Sequence, residues 1–147
     1  MAAKTSPIVK SLDLRTRAQL IRGVDLAQAL GVGGHSVSQW RNGQRSPHFP
    51  SVVAWAAHLG TQIVAVDAHG RVLAVGDDIP AGFATWREAA GLTQKAVADL
   101  RCTAKAAIAQ LEACARRPYL ATVEDHLAAL NIRLAVVDAA DSRGVAA

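Results

Sequence analysis

Leu26-Ala27-Gln28-Ala29-Leu30-Gly31-Val32-Gly33-Gly34-His35-Ser36-Val37-Ser38-Gln39-Trp40 is the stretch whose spacing decides the fold. Ala27 is small where two helices must cross closely, and Gly31 tolerates the left-handed backbone of a sharp turn. Leu26, Leu30, Val32, Val37 and Trp40 form the inner faces, which leaves His35, Ser36 and Gln39 pointing outward. Working outward, Leu14 to Arg22 suits a helix capped by Ser11 or Asp13. Val24 to Leu30 suits a second, closed by Gly31, and Gly34 to Arg41 a third, ending before Asn42-Gly43. Beyond the breakers Pro47 and Pro50, Ser51 is placed to cap a fourth helix, with Val52, Val53, Trp55, Ala56 and Leu59 at helical spacing. The pattern then changes: Ile63 to Val66 and Val72 to Val75 are short runs rich in β-branched residues that flank Asp67-Ala68-His69-Gly70, which reads as a hairpin turn.

Sliding the chain by 71 residues lays Leu26 to Ala68 over Val97 to Ala139 without a gap, and ten of the 43 pairs are identical, among them Gln39/Gln110, Arg45/Arg116 and Pro47/Pro118. Conservative pairs such as Val37/Ile108 and Ile63/Leu134 add to these, so the chain reads as a duplication. The expected organisation is a first unit with its hairpin over 1–76 and a linker over 77–82 that contains Pro80. A second unit with the matching strand Arg133 to Asp138 covers 83–140, and a frayed tail covers 141–147. At 147 residues each unit lies near the lower size limit for folding alone, so two halves sharing one core are expected. The strand of the second unit can pair with the hairpin within the chain or between chains.

Charge divides unevenly along the duplication. Residues 1–76 hold eight Lys and Arg against three Asp, net +5, and residues 77–147 hold eight against nine acids, net −1. A basic half points to a polyanionic partner, because displacing counterions from phosphates provides most non-specific nucleic-acid affinity. No apolar run is long enough to span a bilayer, and Met1 to Pro7 has no apolar core of a secretory leader, so a soluble cytoplasmic protein is expected. Cys102 and Cys114 make no disulfide framework and read as small buried hydrophobes. With His126 they recur every twelve residues, but a zinc site normally takes four ligands in paired short spacings, and neither metal nor cofactor is expected. Trp40, Trp55 and Trp86 sit at apolar helix positions and read as core. None of the five histidines has a partnering nucleophile or paired carboxylates, and Gly31-Val32-Gly33-Gly34 lacks the strand and lysine of a phosphate loop, so no enzyme is expected.

The opening stretch, continued by Arg41-Asn42-Gly43-Gln44-Arg45-Ser46-Pro47, resembles the helix-turn-helix of the lambda repressor and Cro family, the XRE-type proteins. The resemblance extends to Gly60 and covers Gly91 to Asn131 of the second copy, where Gly91-Leu92-Thr93-Gln94-Lys95 looks like the family's usual opening of its second helix. It implies a mostly α fold of two tandem lambda-repressor-like units, each followed by short strands that form a small sheet. It further implies a recognition helix in the major groove of double-stranded DNA. Carried over by position, Gly34, His35, Ser36 and Gln39 would read bases, with Gln39 suited to an adenine edge. Arg41, Asn42, Gln44 and Arg45 would meet phosphates.

The second copy is degenerate in these terms. Ala104, Ala106, Ala107 and Ala109 leave its helix nearly bare, with Lys105 and Gln110 as the obvious readers, and Arg116 and Arg117 remain for phosphates. Cys102 and Cys114 replace turn glycines, and Glu112 stands where the first copy has Arg41. The resemblance thus implies a transcriptional regulator, a repressor in its simplest form and phage-type in its relations. Its second unit either reads an adjacent half-site or joins two chains as a homodimer. The competing class is an antitoxin-like or other protein-interaction module with a protein partner and little or no DNA binding.

Overall fold

The computed structural model describes residues 5–139, so the readings of Met1 to Lys4 and of 141–147 lie outside the described residues. Helix α1 (Pro7–Ala18) starts a full two turns earlier than Leu14, and neither Ser11 nor Asp13 caps it. The Ser6 side chain accepts from the Ile8 and Val9 amides, and Pro7 occupies a first-turn position where a missing N–H costs nothing. The helix stops before Arg22 because Leu20 takes a left-handed φ of 58° and the Ile21 amide turns back onto the Thr16 carbonyl.

Helix α2 (Gly23–Leu30) ends at Gly31, φ 68°, as its sequence requires. Helix α3 (Ser36–Arg41) is shorter than expected, since Gly34 and His35 belong to the turn before it. Helix α4 (Phe49–His58) begins at Phe49, and Ser51 lies inside it. Its first amide has a tertiary acceptor: Phe49 donates to the Pro118 carbonyl at 2.8 Å, a contact with the other copy that makes a local cap unnecessary.

Strands β1 (Thr61–Val66) and β2 (Val72–Val75) form the expected hairpin. The expected linker is instead helix α5 (Asp78–Ala81), whose Ile79 is buried. Helix α6 (Phe83–Ala89) follows after Gly82, where an added Cβ would lie 2.4 Å from the Trp86 ring. Helices α7 (Gln94–Leu100), α8 (Lys105–Glu112) and α9 (Leu120–Ala129) lead to strand β3 (Arg133–Asp138). The sheet is antiparallel in the order β2-β1-β3, so β3 pairs with the hairpin inside the chain. Among the described residues no helix is long and apolar enough to cross a membrane.

The backbone repeats more regularly than the residues do. Helix α4 maps onto α9 end for end, and α1 maps onto α5 and α6 taken together, at the same shift of 71 residues. Left-handed residues recur at that shift as Leu20/Gly91, Gly31/Cys102, Gly43/Cys114 and Gly60/Asn131, with one glycine in each pair. Cys102 and Cys114, both at φ 54°, are therefore exposed turn residues, not buried hydrophobes.

Two contacts show how the copies are related. In the β1–β3 ladder Val64 pairs with Ala135, and in an isolated antiparallel bridge His48 pairs with Tyr119. In both cases a residue meets its own equivalent 71 positions later. Antiparallel pairing of equivalents requires a rotation of 180°, so a pseudo-two-fold axis passes through both points. The hydrogen bonds around His48 obey it: Phe49 donates to Pro118 and Leu120 donates to Pro47, each at 2.8 Å.

One continuous core lies about this axis, joining Leu12, Trp55 and Ile63 of the first copy to Phe83, Ile108 and Leu127 of the second. Trp40 belongs to this core, and partly buried Trp86 packs against the core. Within this core the copies differ at Trp55 and its equivalent His126. The Trp55 indole N–H donates to the Thr16 hydroxyl at 2.9 Å, and that hydroxyl donates to the Leu12 carbonyl at 2.7 Å. The fully buried His126 ring lies 4.6 Å from that of Phe83, and its Nδ1 lies 3.2 Å from Arg101. A guanidinium only donates, so Nδ1 accepts and Nε2, which has no partner, carries the proton.

Burial first, and the Arg101 charge second, hold the His126 pKa down at about 4 against the opposing pull of Glu112. Because the unfolded chain binds this proton from about 6.5 downward, stability is full above pH 6.5 and falls as pH drops toward about 4. The slope should approach 1.4 kcal/mol per pH unit, a loss of roughly 3 kcal/mol in all. Urea unfolding at pH 7.0 and 5.0 should show about 2 kcal/mol of this loss in the native sequence and a much flatter profile in His126→Leu; equal pH dependence in both would contradict the assignment.

Candidate nucleic-acid interface

Helices α2 and α3 meet as their apolar spacing dictates. Leu26, Ala27, Val37 and Trp40 are all buried, and the Trp40 ring lies 5.8 Å from that of Trp55. The turn is closed by the Val32 amide on the Ala27 carbonyl and the Ser36 amide on Gly33. This fixes the outer face. Gly34 and His35 are exposed just ahead of α3, while Ser36 and Gln39 are half-buried along it and exposed Ser38 lies between them. After the helix the Gln44 and Arg45 amides both turn back to the Gln39 carbonyl around Gly43, φ 72°, which leaves Asn42, Gln44 and Arg45 exposed.

Arg41 does not join them. Its Nε donates to the Asp13 carboxylate on α1, the Thr5 hydroxyl donates to its carbonyl, and its side chain is only 21% exposed. The residue offered by sequence as a phosphate contact is thus held in an ion pair that ties α3 to the first helix.

The second copy has the same tie with the charges exchanged. Glu112, the equivalent of Arg41, accepts from Arg87 Nε at 2.6 Å, from the other arm of that guanidinium at 3.2 Å and from Gln94 at 2.9 Å. Burial alone would push the Glu112 carboxyl up, but the Arg87 and Gln94 hydrogen bonds outweigh it and hold the group below its usual range. With 6% of its side chain exposed, Glu112 points inward and puts no negative charge on the outer face. That outer face carries exposed Lys105 and Gln110 among alanines, followed by exposed Arg116 and Arg117.

The axis organises these groups. A two-fold rotation keeps every element at its own height along the axis, so α3 and α8 present their outer faces at one level, as do Arg45 and its equivalent Arg116. Between them His48 and Tyr119 stack with ring centroids 4.3 Å apart, the tyrosine 47% exposed, and His48 Nδ1 lies 3.3 Å from the Arg117 carbonyl. Two clefts flank this crossing, of about 450 and about 180 Å³. The first is lined by Gly43, Arg45, Pro47 and Ala121, and the second by the equivalents Cys114, Arg116, Pro118 and Pro50.

Sequence reasoning missed His48 and Tyr119, although the aligned Pro47/Pro118 marked their place. It also missed both ion pairs, whose partners lie 28 and 25 residues apart with no local signal. Compared with known proteins, the chain matches no family model, no curated protein and no solved structure.

The buried Arg87–Glu112 pair and the more open Asp13–Arg41 pair should differ in worth. Glu112→Ala strands a buried guanidinium and should cost about 3 kcal/mol, while Arg41→Ala should cost about 1 kcal/mol and exposed Arg45→Ala less than about 0.5 kcal/mol. Chemical denaturation of the three variants ranks them, and a Glu112→Ala cost no larger than that of Arg45→Ala would contradict the geometry.

Proposed function

We propose that the chain is a non-enzymatic, sequence-specific double-stranded DNA-binding regulator of the lambda repressor and Cro type, built from two tandem helix-turn-helix units. The observation that carries the reading is the α2–turn–α3 arrangement. It buries Leu26, Ala27, Val37 and Trp40 and leaves His35 exposed and Ser36 and Gln39 half-buried on the other side, beside exposed Arg45. A helix presented in this way has the dimensions of the major groove, where each base pair offers its own pattern of donors and acceptors. The basic surplus of residues 1–76 lies on the same unit as the better-furnished helix.

Within this reading Gln39 contacts a base edge, with Gly34, His35 and Ser36 beside it, and Asn42, Gln44 and Arg45 hold the sugar-phosphate backbone. Lys105, Gln110, Arg116 and Arg117 play the corresponding parts in the second unit. Arg41 supports the face from behind through Asp13.

Selection of bound sequences from a random double-stranded library should enrich a defined motif. On that motif Gln39→Ala should lose roughly 1 to 3 kcal/mol, concentrated at one base position. Arg45→Ala should weaken binding to all sequences alike and lower the salt slope by about one. Failure to enrich any sequence, or uniform losses from both variants, would count against base reading by Gln39.

A further inference from the structure

We infer that a single chain occupies an entire DNA site, made of two unlike half-sites in inverted orientation. This rests on the DNA-binding reading above and adds orientation, symmetry and stoichiometry to it.

Orientation follows from the strand pairing. Units in tandem along a chain can be related by a translation, which would present their helices to a direct repeat. The antiparallel pairing of Val64 with its own equivalent Ala135, repeated at His48 and Tyr119, excludes a translation and requires a two-fold rotation. B-form DNA has two-fold axes of its own, perpendicular to its length. A protein whose two binding helices are related by such an axis engages both with one half-site reversed relative to the other.

Stoichiometry follows from the same contacts. The edge of β1 opposite β2 is filled by β3 of the same chain, and the backbone amides of Phe49 and Leu120 are satisfied across the axis. The place a second chain would take in a symmetric dimer is already occupied by the second copy.

Unlikeness follows from the outer faces. Gly34, His35, Ser36 and Ser38 are matched by Lys105, Ala106, Ala107 and Ala109, whereas Gln39/Gln110 and Arg45/Arg116 are identical. The two halves of the site therefore share the base pair read by glutamine and the flanking phosphates, and differ elsewhere.

The test is sequence selection with the full chain, followed by native mass spectrometry of the complex and by reversal of one half-site in place. The expected results are an unlike inverted pair of half-sites, one chain per duplex, and at least a tenfold loss of affinity on reversal. A companion selection uses the variant Lys105→Gly/Ala106→His/Ala107→Ser/Ala109→Ser, which gives α8 the outer residues of α3 and should turn the selected site into a palindrome. A direct repeat, two chains per duplex, indifference to reversal, or an unchanged unlike site for a variant that melts like the parent would each overturn this inference while leaving DNA binding intact. No enriched sequence at all would overturn the DNA-binding reading itself. Should the variant fail to fold, reversal of the half-site in the native complex still decides.

Discussion

The six backbone pairs between β1 and β3, centred near Val64 and Ala135, are the constraint on which the rest of the molecule depends. They join equivalent strands of the two copies, and because these run antiparallel they fix a rotation of 180° between copies. Everything off the axis is then placed in pairs: α3 with α8, α4 with α9, and the loop at Arg45 with the loop at Arg116. Buried Ile63 and Ala65 on β1, with Val52 and Val123 on the paired helices, belong to the shared apolar core. Neither copy closes such an interior alone, which accords with how little surface a unit of this size can bury.

Around this fixed frame the two copies have diverged in ways that preserve shape and change surface. The tie between the third helix and the first is an ion pair in both, with arginine on α3 in one and glutamate on α8 in the other. The buried position facing the first helix is Trp55 with a hydroxyl partner in one copy and His126 with an arginine partner in the other. Each left-handed turn keeps its backbone conformation although glycine is present in only one copy of each pair. A non-glycine residue there costs about 1 kcal/mol, a strain the shared core can absorb at Leu20, Cys102, Cys114 and Asn131. The outer faces carry no such constraint, and they are where the copies differ in hydrogen-bonding character.

Local chemistry was legible in the sequence, and tertiary chemistry was not. Gly31, the inner apolar set from Leu26 to Trp40, the hairpin and the last strand all lie where spacing places them, because each answers to its immediate neighbours. The duplication too could be read from ten identical pairs. The errors share a cause. Helix α4 starts at Phe49 without a cap because Pro118 supplies the acceptor, and α5 forms over an apparent linker because Ile79 is drawn into the core. Arg41 leaves the outer face because Asp13 is in reach, and Cys102 and Cys114 turn to solvent because the repeat imposes a left-handed turn on them. The pseudo-two-fold relation was the largest feature hidden in the sequence, since a tandem repeat read along one chain contains nothing that separates rotation from translation.

That relation is tested most directly by asking whether β1 and β3 of the same chain pair. Nuclear Overhauser contacts between the Val64 and Ala135 backbones can be recorded on an isotope-labelled chain, pure and then refolded with a large excess of unlabelled chain. The account predicts that the contacts persist undiminished on dilution, because both strands belong to one molecule. Their loss in the diluted sample would mean that two chains share the sheet, and would contradict a single chain closed on its own two-fold axis.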